Sequence, residues 1–186
     1  MQIISTKERN TGISDVMSCG GIYLTFVLDD RVYGIELLKV RKIVGVTTPV
    51  PKIHKYMKVD LCLSRLSHFF PGGIVPYYVK GIIRLRERVI PIIDLRLRLG
   101  FQETAYTAET CIIIVDTKER PVGIIVDKIL GTLDVKSEEI EDVSPVEDKI
   151  NTEFFIGTLI RNEEAKILLD IDNILDANRS AILWNF

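Results

Sequence analysis

One pattern is written twice in this chain, and it restricts the fold more than any other feature. Residues 80–99 read K-G-I-I-R-L-R-E-R-V-I-P-I-I-D-L-R-L-R-L, and a fainter copy follows at 156–171 as I-G-T-L-I-R-N-E-E-A-K-I-L-L-D-I. Thirteen residues separate Gly81 from Asp94, and thirteen separate Gly157 from Asp170, each Asp preceded by an apolar run and followed by Leu or Ile. A second pair of segments matches as well. Residues 23–28, a charged turn and 32–35 resemble 111–115, a charged turn and 121–126, with Gly-Ile falling at Gly34 and Gly123. The unit is therefore a hairpin ending in Gly-Ile, a short helical stretch, and later a Gly-led hairpin ending in Asp-Leu or Asp-Ile. Internal duplication of this kind predicts a fold of two similar halves.

The rest of the chain fits that reading. At 186 residues it suits one globular unit with a real core. Residues 1–21 mix charge and small residues without periodicity and read as a loose tail, 22–178 as the folded domain of two halves, and 179–186 as a C-terminal tail. Strands are expected at 82–86, 89–93, 110–115, 122–126, 154–160 and 166–170, with 100–109 a polar loop. After Ile35, the spacing of Leu38, Val40, Ile43 and Val44 predicts one apolar helix face, with Lys39, Arg41 and Lys42 in water. Residues 127–133 lead into a polar segment, with a helical turn near 138–142 and a short helix at 172–178. The stretch at about 54–73 looks inserted, and its mixture of charged and apolar residues suggests an amphipathic turn or helix. Many short strands joined by charged turns point to a mainly β protein of antiparallel sheets or small barrels. Small barrels fill their interiors with their own side chains, so the usable surfaces are the groove between them and exposed edges.

Composition narrows the function. The formal net charge of -2 gives no global field toward nucleic acid or an anionic membrane. The longest apolar runs fall far short of the ~18–20 residues a bilayer requires, and the first ten residues do not resemble a secretory signal. Cys19, Cys62 and Cys111 are too few for a disulfide framework, which fits a reducing cytoplasm. His54, Cys62 and His68 fit no zinc signature, so no metal is expected. Asp170 and Asp172 stand where a strand becomes a helix and suit capping rather than catalysis. Ser64 and Cys62 near His68 lack an orienting acid, and no glycine loop cradles a phosphate. No catalytic centre and no cofactor are expected.

Arg84, Arg86 and Arg88 alternate onto one face of a strand. That stripe is either a solvated face protecting an edge strand or a site for carboxylates, and the residues alone leave both open. A third reading is a barrel that binds single-stranded nucleic acid through Lys80, these arginines, Arg96 and Arg98, with Tyr77 and Tyr78 to stack on bases. Against it stand the acidic net charge and the lack of aromatics within the basic strand.

Y-L-T-F-V-L-D-D-R-V-Y-G-I-E-L-L-K-V-R-K-I at 23–43, the K-G-I-I-R-L-R-E-R-V-I-P-I-I-D-L-R block and P-V-G-I-I-V-D at 121–127 together resemble the CheW family of chemotaxis coupling proteins. The resemblance runs over about residues 23–175. It implies two five-stranded SH3-like β-barrels with few short helices, no enzymatic activity, and an adaptor role between the cytoplasmic tips of chemoreceptors and the regulatory domain of the histidine kinase CheA. It also implies a cytoplasmic protein recruited to receptor arrays without entering the membrane. By motif position Val40, Gly81, Arg86 and Leu133 would form the receptor groove. Two departures stand out: Arg84 and Glu87 replace the usual Asn and Gly around Arg86, and the 54–73 insertion adjoins the groove. An adaptor of a pilus or developmental pathway is the alternative on the same fold.

Overall fold

The computed structural model describes residues 20–45, 76–85, 88–118, 120–142 and 152–176. The N-terminal tail through residue 19, the 54–73 insertion, Arg86, Glu87 and the tail at 179–186 lie outside the described residues.

Among the described residues, eleven strands form two sheets. β1 (Gly21–Leu28) and β2 (Arg31–Glu36) make the first hairpin, and a 3-10 turn at Leu37–Lys39 leads into β3 (Val40–Gly45). β4 (Val79–Leu85) and β5 (Arg88–Asp94) follow, then α1 (Leu95–Arg98). β6 (Cys111–Asp116), β7 (Pro121–Val126) and β8 (Lys128–Val135) come next, and a 3-10 turn at Ser137–Glu139 precedes β9 (Ile140–Glu141). A 3-10 turn at Thr152–Phe154 opens β10 (Phe155–Arg161), and β11 (Glu164–Leu169) and α2 (Ile171–Leu175) close the described chain. One sheet runs β8-β1-β2-β11-β10-β9 and the other β3-β6-β7-β5-β4. The two-residue β9 makes the first sheet six-stranded where five were expected.

The sheets do not coincide with the sequence repeats. The first repeat supplies β1–β5 and the second β6–β11, yet the first barrel joins the β1–β2 hairpin to β8 and the β10–β11 hairpin. The second barrel joins the β6–β7 hairpin to β3 and the β4–β5 hairpin. Both junctions between hairpins are parallel, β2 with β11 and β5 with β7. The second barrel is thus continuous in sequence and sits inside the first.

Alternation along the strands builds three buried layers. Tyr23, Val135, Ile140, Leu159 and Leu168 fill the first barrel, and Ile90, Ile92, Ile112, Ile114 and Ile125 fill the second. Opposite faces of the same strands meet between the barrels: Leu24, Phe26, Leu28, Tyr33 and Ile35 pack with Ile113, Val115, Ile124 and Val126. Strands buried on both faces explain why β1, β6 and β7 read as nearly continuous apolar runs. Gly123 sits where its strand neighbours crowd the interior; a Cβ there would lie 2.4 Å from Ile92 Cδ1 and 3.1 Å from Ile112 Cγ2, so both side chains would have to shift.

Two expectations are corrected. The helix predicted after Ile35 is the 3-10 turn followed by β3. A register shift between Val40 and Lys42 breaks the two-residue period, so Val40 opposite Val115 and Ile43 opposite Ile113 face the same way at a spacing of three, imitating a helix face. Residues 127–133, read as a lead into polar sequence, fall mostly in β8 (Lys128–Val135); another register shift interrupts its pairing with β1, and its alternate residues are exposed.

Candidate interaction surface

Asp94 and Asp170, the repeated aspartates, do the same local job. Asp94 caps α1 by accepting the Leu97 amide at 3.3 Å, and its other oxygen accepts the Tyr106 hydroxyl at 3.0 Å. Asp170 caps α2 by accepting the Asp172 and Asn173 amides at 3.0 and 3.1 Å. This is the capping role expected of Asp170, and it holds for Asp94 too.

Two residues beyond each cap stands a charge that ties the barrels together, with opposite sign at the two places. Arg96, after Asp94, donates to Asp29 in the β1–β2 turn and to Asp127 at the β7–β8 crossing. Asp172, after Asp170, accepts Lys39 Nζ at 2.9 Å from the β2–β3 crossing and the Lys118 amide at 3.0 Å from the β6–β7 turn. Burial pushes the Asp172 carboxyl upward, but the Lys39 and Lys118 hydrogen bonds and charges more than offset it and hold it below the usual Asp range. Burial likewise opposes the Lys39 ammonium, whose carboxylate neighbours nevertheless raise it. Partly exposed pairs of this kind contribute ~0–1 kcal/mol each, whereas each fully buried Leu, Ile or Phe of the shared core contributes ~1.5–3 kcal/mol. The core therefore supplies most of the energy that holds the barrels together, and the clamps add little to it.

Arg98 is a sequence candidate for a basic groove that the structure withdraws into the interior. It is 7% exposed, its Nε donates to the Ile174 carbonyl at 2.7 Å, and its guanidinium lies over the Tyr78 and Phe154 rings. Burial lowers its pKa. Arg96 is engaged in its clamp, so neither residue is available to a phosphate backbone. Arg88 is exposed; the side chains of Arg84 and Arg86 lie outside the described residues.

The expected groove residues fall in different places. Val40 opens β3, half-buried against the shared core. Gly81 is buried in β4 opposite Ile92, on the other edge of the same sheet. Leu133 lies in β8 and packs against the interior of the first barrel. Arg86 is outside the described residues. No ladder makes any two of the placed residues neighbours. Beside Val40 the structure adds two residues that the sequence reading had assigned to a helix face: Leu38, 97% exposed at the crossing between barrels, and Ile43, 43% exposed. Exposed apolar side chains on a turn and on the edge strand that follows it, beside the shared core, suit a protein partner. Among the described residues no His, Cys, Asp and Glu cluster could hold a metal, and no helix is long and apolar enough to cross a membrane.

A model of the CheW-like domain matches residues 67–179. Chemotaxis protein CheW of Klebsiella aerogenes is 30% identical over 166 residues, covering 89% of this chain and 88% of the relative. The chain belongs to the CheW-like family. Chemotaxis protein CheW of Thermotoga maritima is 28% identical over 155 residues, 82% of this chain and 86% of that one. The crystal structure of the scaffolding protein TtCheW from Thermoanaerobacter tengcongensis superposes with a TM-score of 0.67 at 24% identity, covering 86% of this chain and 94% of that chain. The two-barrel CheW fold expected from the sequence is therefore present, and the comparisons favour neither the pilus-pathway adaptor nor the nucleic-acid barrel.

Proposed function

We propose that this protein is a non-catalytic chemotaxis adaptor that couples chemoreceptors to the histidine kinase CheA, working in the cytoplasm at membrane-associated receptor arrays. The observation that carries this reading is the similarity to CheW proteins along nearly the whole chain, at 30% identity over 166 residues with the Klebsiella aerogenes relative. Val40, Gly81, Arg86 and Leu133 are the proposed receptor contacts. Leu38 and Ile43 extend the apolar part of that surface, since both are exposed beside Val40. Arg86 would supply a planar cation for a receptor carboxylate or carbonyl.

Arg86→Ala is expected to weaken capture of the chemoreceptor cytoplasmic hairpin at least about tenfold, the loss of one interface hot spot, with an unchanged circular dichroism spectrum. Full retention of affinity by the folded variant removes Arg86 from the site. Failure of the unmodified protein to bind both receptor and kinase overturns the adaptor reading itself.

A further inference from the structure

The two barrels carry opposite charge, a polarity that the formal net charge of -2 conceals. The described ranges of the first barrel, 20–39, 128–142 and 152–176, hold fourteen Asp and Glu against six Lys and Arg, an excess of eight negative charges. Those of the second barrel, 40–45, 76–85, 88–118 and 120–127, hold nine Lys and Arg against five Asp and Glu, an excess of four positive charges. The nesting produces the split, because it gathers the acid-rich sequence after residue 127 into one barrel with β1 and β2. The sequence connecting β3 to β4, residues 46–75, is basic too, with four Lys and Arg and one Asp.

Several cations of the second barrel are already answered. Arg41 pairs with Asp116 at 3.0 Å, Lys80 with Glu103, and Arg96 with Asp29 and Asp127, while Arg98 is buried. Lys39, just before β3, is held by Asp172. Lys42 differs: it is exposed, and among the described residues no carboxylate forms an ion pair with it. Its strand, β3, ends the sheet, so one backbone edge faces away from β6. Lys42 and Ile43, as successive residues, leave that strand on opposite faces, and Leu38 and Ile43 are exposed beside it. A partner lying along this edge therefore meets apolar side chains and one unanswered cation.

We propose that β3 docks an acidic stretch of the chemoreceptor hairpin, with Lys42 as the residue that selects it; this rests on the adaptor reading given above. The polarity of the molecule supplies the orientation. An acidic partner is drawn to the second barrel and repelled by the first, so it arrives with its charged stretch toward β3. Fields of this kind reach about 8–10 Å at physiological salt. They act on the rate of productive encounter more than on the lifetime of the complex, whereas the apolar contacts at Leu38 and Ile43 hold the partner once it has arrived.

The test measures the association rate of the full chain with the immobilised receptor hairpin at low and high salt. Raising the salt from ~0.05 M to ~0.5 M is expected to slow association of the parent about tenfold. At low salt Lys42→Gln should associate several-fold more slowly and Lys42→Glu about tenfold more slowly, with unchanged circular dichroism; if Lys42→Glu disturbs the fold, Lys42→Gln carries the comparison. Adding Glu138→Lys, at an exposed turn of the first barrel, returns Lys42→Glu to the parent's net charge and should leave the defect in place. Recovery by that second substitution would assign the effect to overall charge and overturn the proposal. So would salt-independent association that Lys42→Glu leaves unchanged, an outcome under which the adaptor reading still stands. No association by the parent overturns both. Sedimentation of the protein alone checks the other acidic surface at hand, the first barrel of a second copy: a dimer abolished by Lys42→Glu, with hairpin binding unaffected, gives β3 to that copy and removes the receptor from it.

Discussion

Single residues in this fold are held in conformations and environments that make definite demands. Asn162 and Glu163 turn the β10–β11 hairpin with φ of 57° and 64°. A left-handed backbone at an exposed Glu has nothing to recommend it energetically, so Glu163→Gly is expected to raise stability by about 0.5–1 kcal/mol, measurable as a higher urea midpoint at unchanged slope. Arg98 presents the opposite case. Its charge is desolvated, Nη2 has no hydrogen-bond partner among the described residues, and the stack on Tyr78 and Phe154 is what the side chain gains. Arg98→Met keeps the packing and deletes the buried charge, so it should lie within about 1.5 kcal/mol of the parent, whereas Arg98→Lys, which loses the planar stack and keeps a charge, should cost more. Thermal melts of the two variants check the order. Nothing in the sequence marked Arg98 as interior, because its burial depends on α1 and α2 meeting from different barrels.

At the scale of elements, the repeated glycines and aspartates were legible because spacing of that kind survives in the chain, and hairpins with charged turns announce themselves locally. What spacing concealed was β3 and β8. A register shift spoils the alternation of β3, while β8 alternates in burial but turns Leu130 outward and Gly131 inward, and their partners β6 and β1 belong to the other repeat. Val40, expected on a helix face by spacing, opens the strand β3 instead, while the exposure of Leu38 and Ile43 depends on where the barrels cross and is not written locally. Gly157 illustrates how tightly an element can be specified. A Cβ there would stand 2.4 Å from Ile140 Cγ2 and 2.8 Å from the Glu141 carbonyl oxygen. Because a backbone atom cannot step aside, Gly157→Ala should destabilise by about 1–3 kcal/mol despite alanine's advantage in a strand; a urea titration tests this. The Lys39–Asp172 clamp adds a pH dependence. A carboxyl held low in the folded state stabilises above its unfolded pKa, and that contribution disappears as pH falls through the folded value. Lys39, held high, contributes until pH rises through its own folded value. The clamp is therefore complete from weakly acidic to weakly alkaline pH. Asp172→Asn should lower stability near neutrality and flatten the loss of stability below about pH 4, which chemical denaturation at pH 3 and pH 6 resolves.

The molecule as a whole has two sheets but not two independent folding units. Since every buried cluster needs both repeats, unfolding should be a single transition in which far-ultraviolet and near-ultraviolet circular dichroism coincide. Separate transitions for the two barrels would contradict the interleaved cores. The nested topology also orders events during synthesis. The second barrel ends at β7, so all its strands have left the ribosome once residues shortly beyond 126 have emerged. The first barrel opens the fold with β1 and β2 but waits for β10 and β11, and its parallel seam between β2 and β11 joins residues more than a hundred positions apart. A nascent chain must therefore leave the β2 edge of its earliest hairpin without its strand partner until β11 has emerged, a span in which a chaperone would find its binding site.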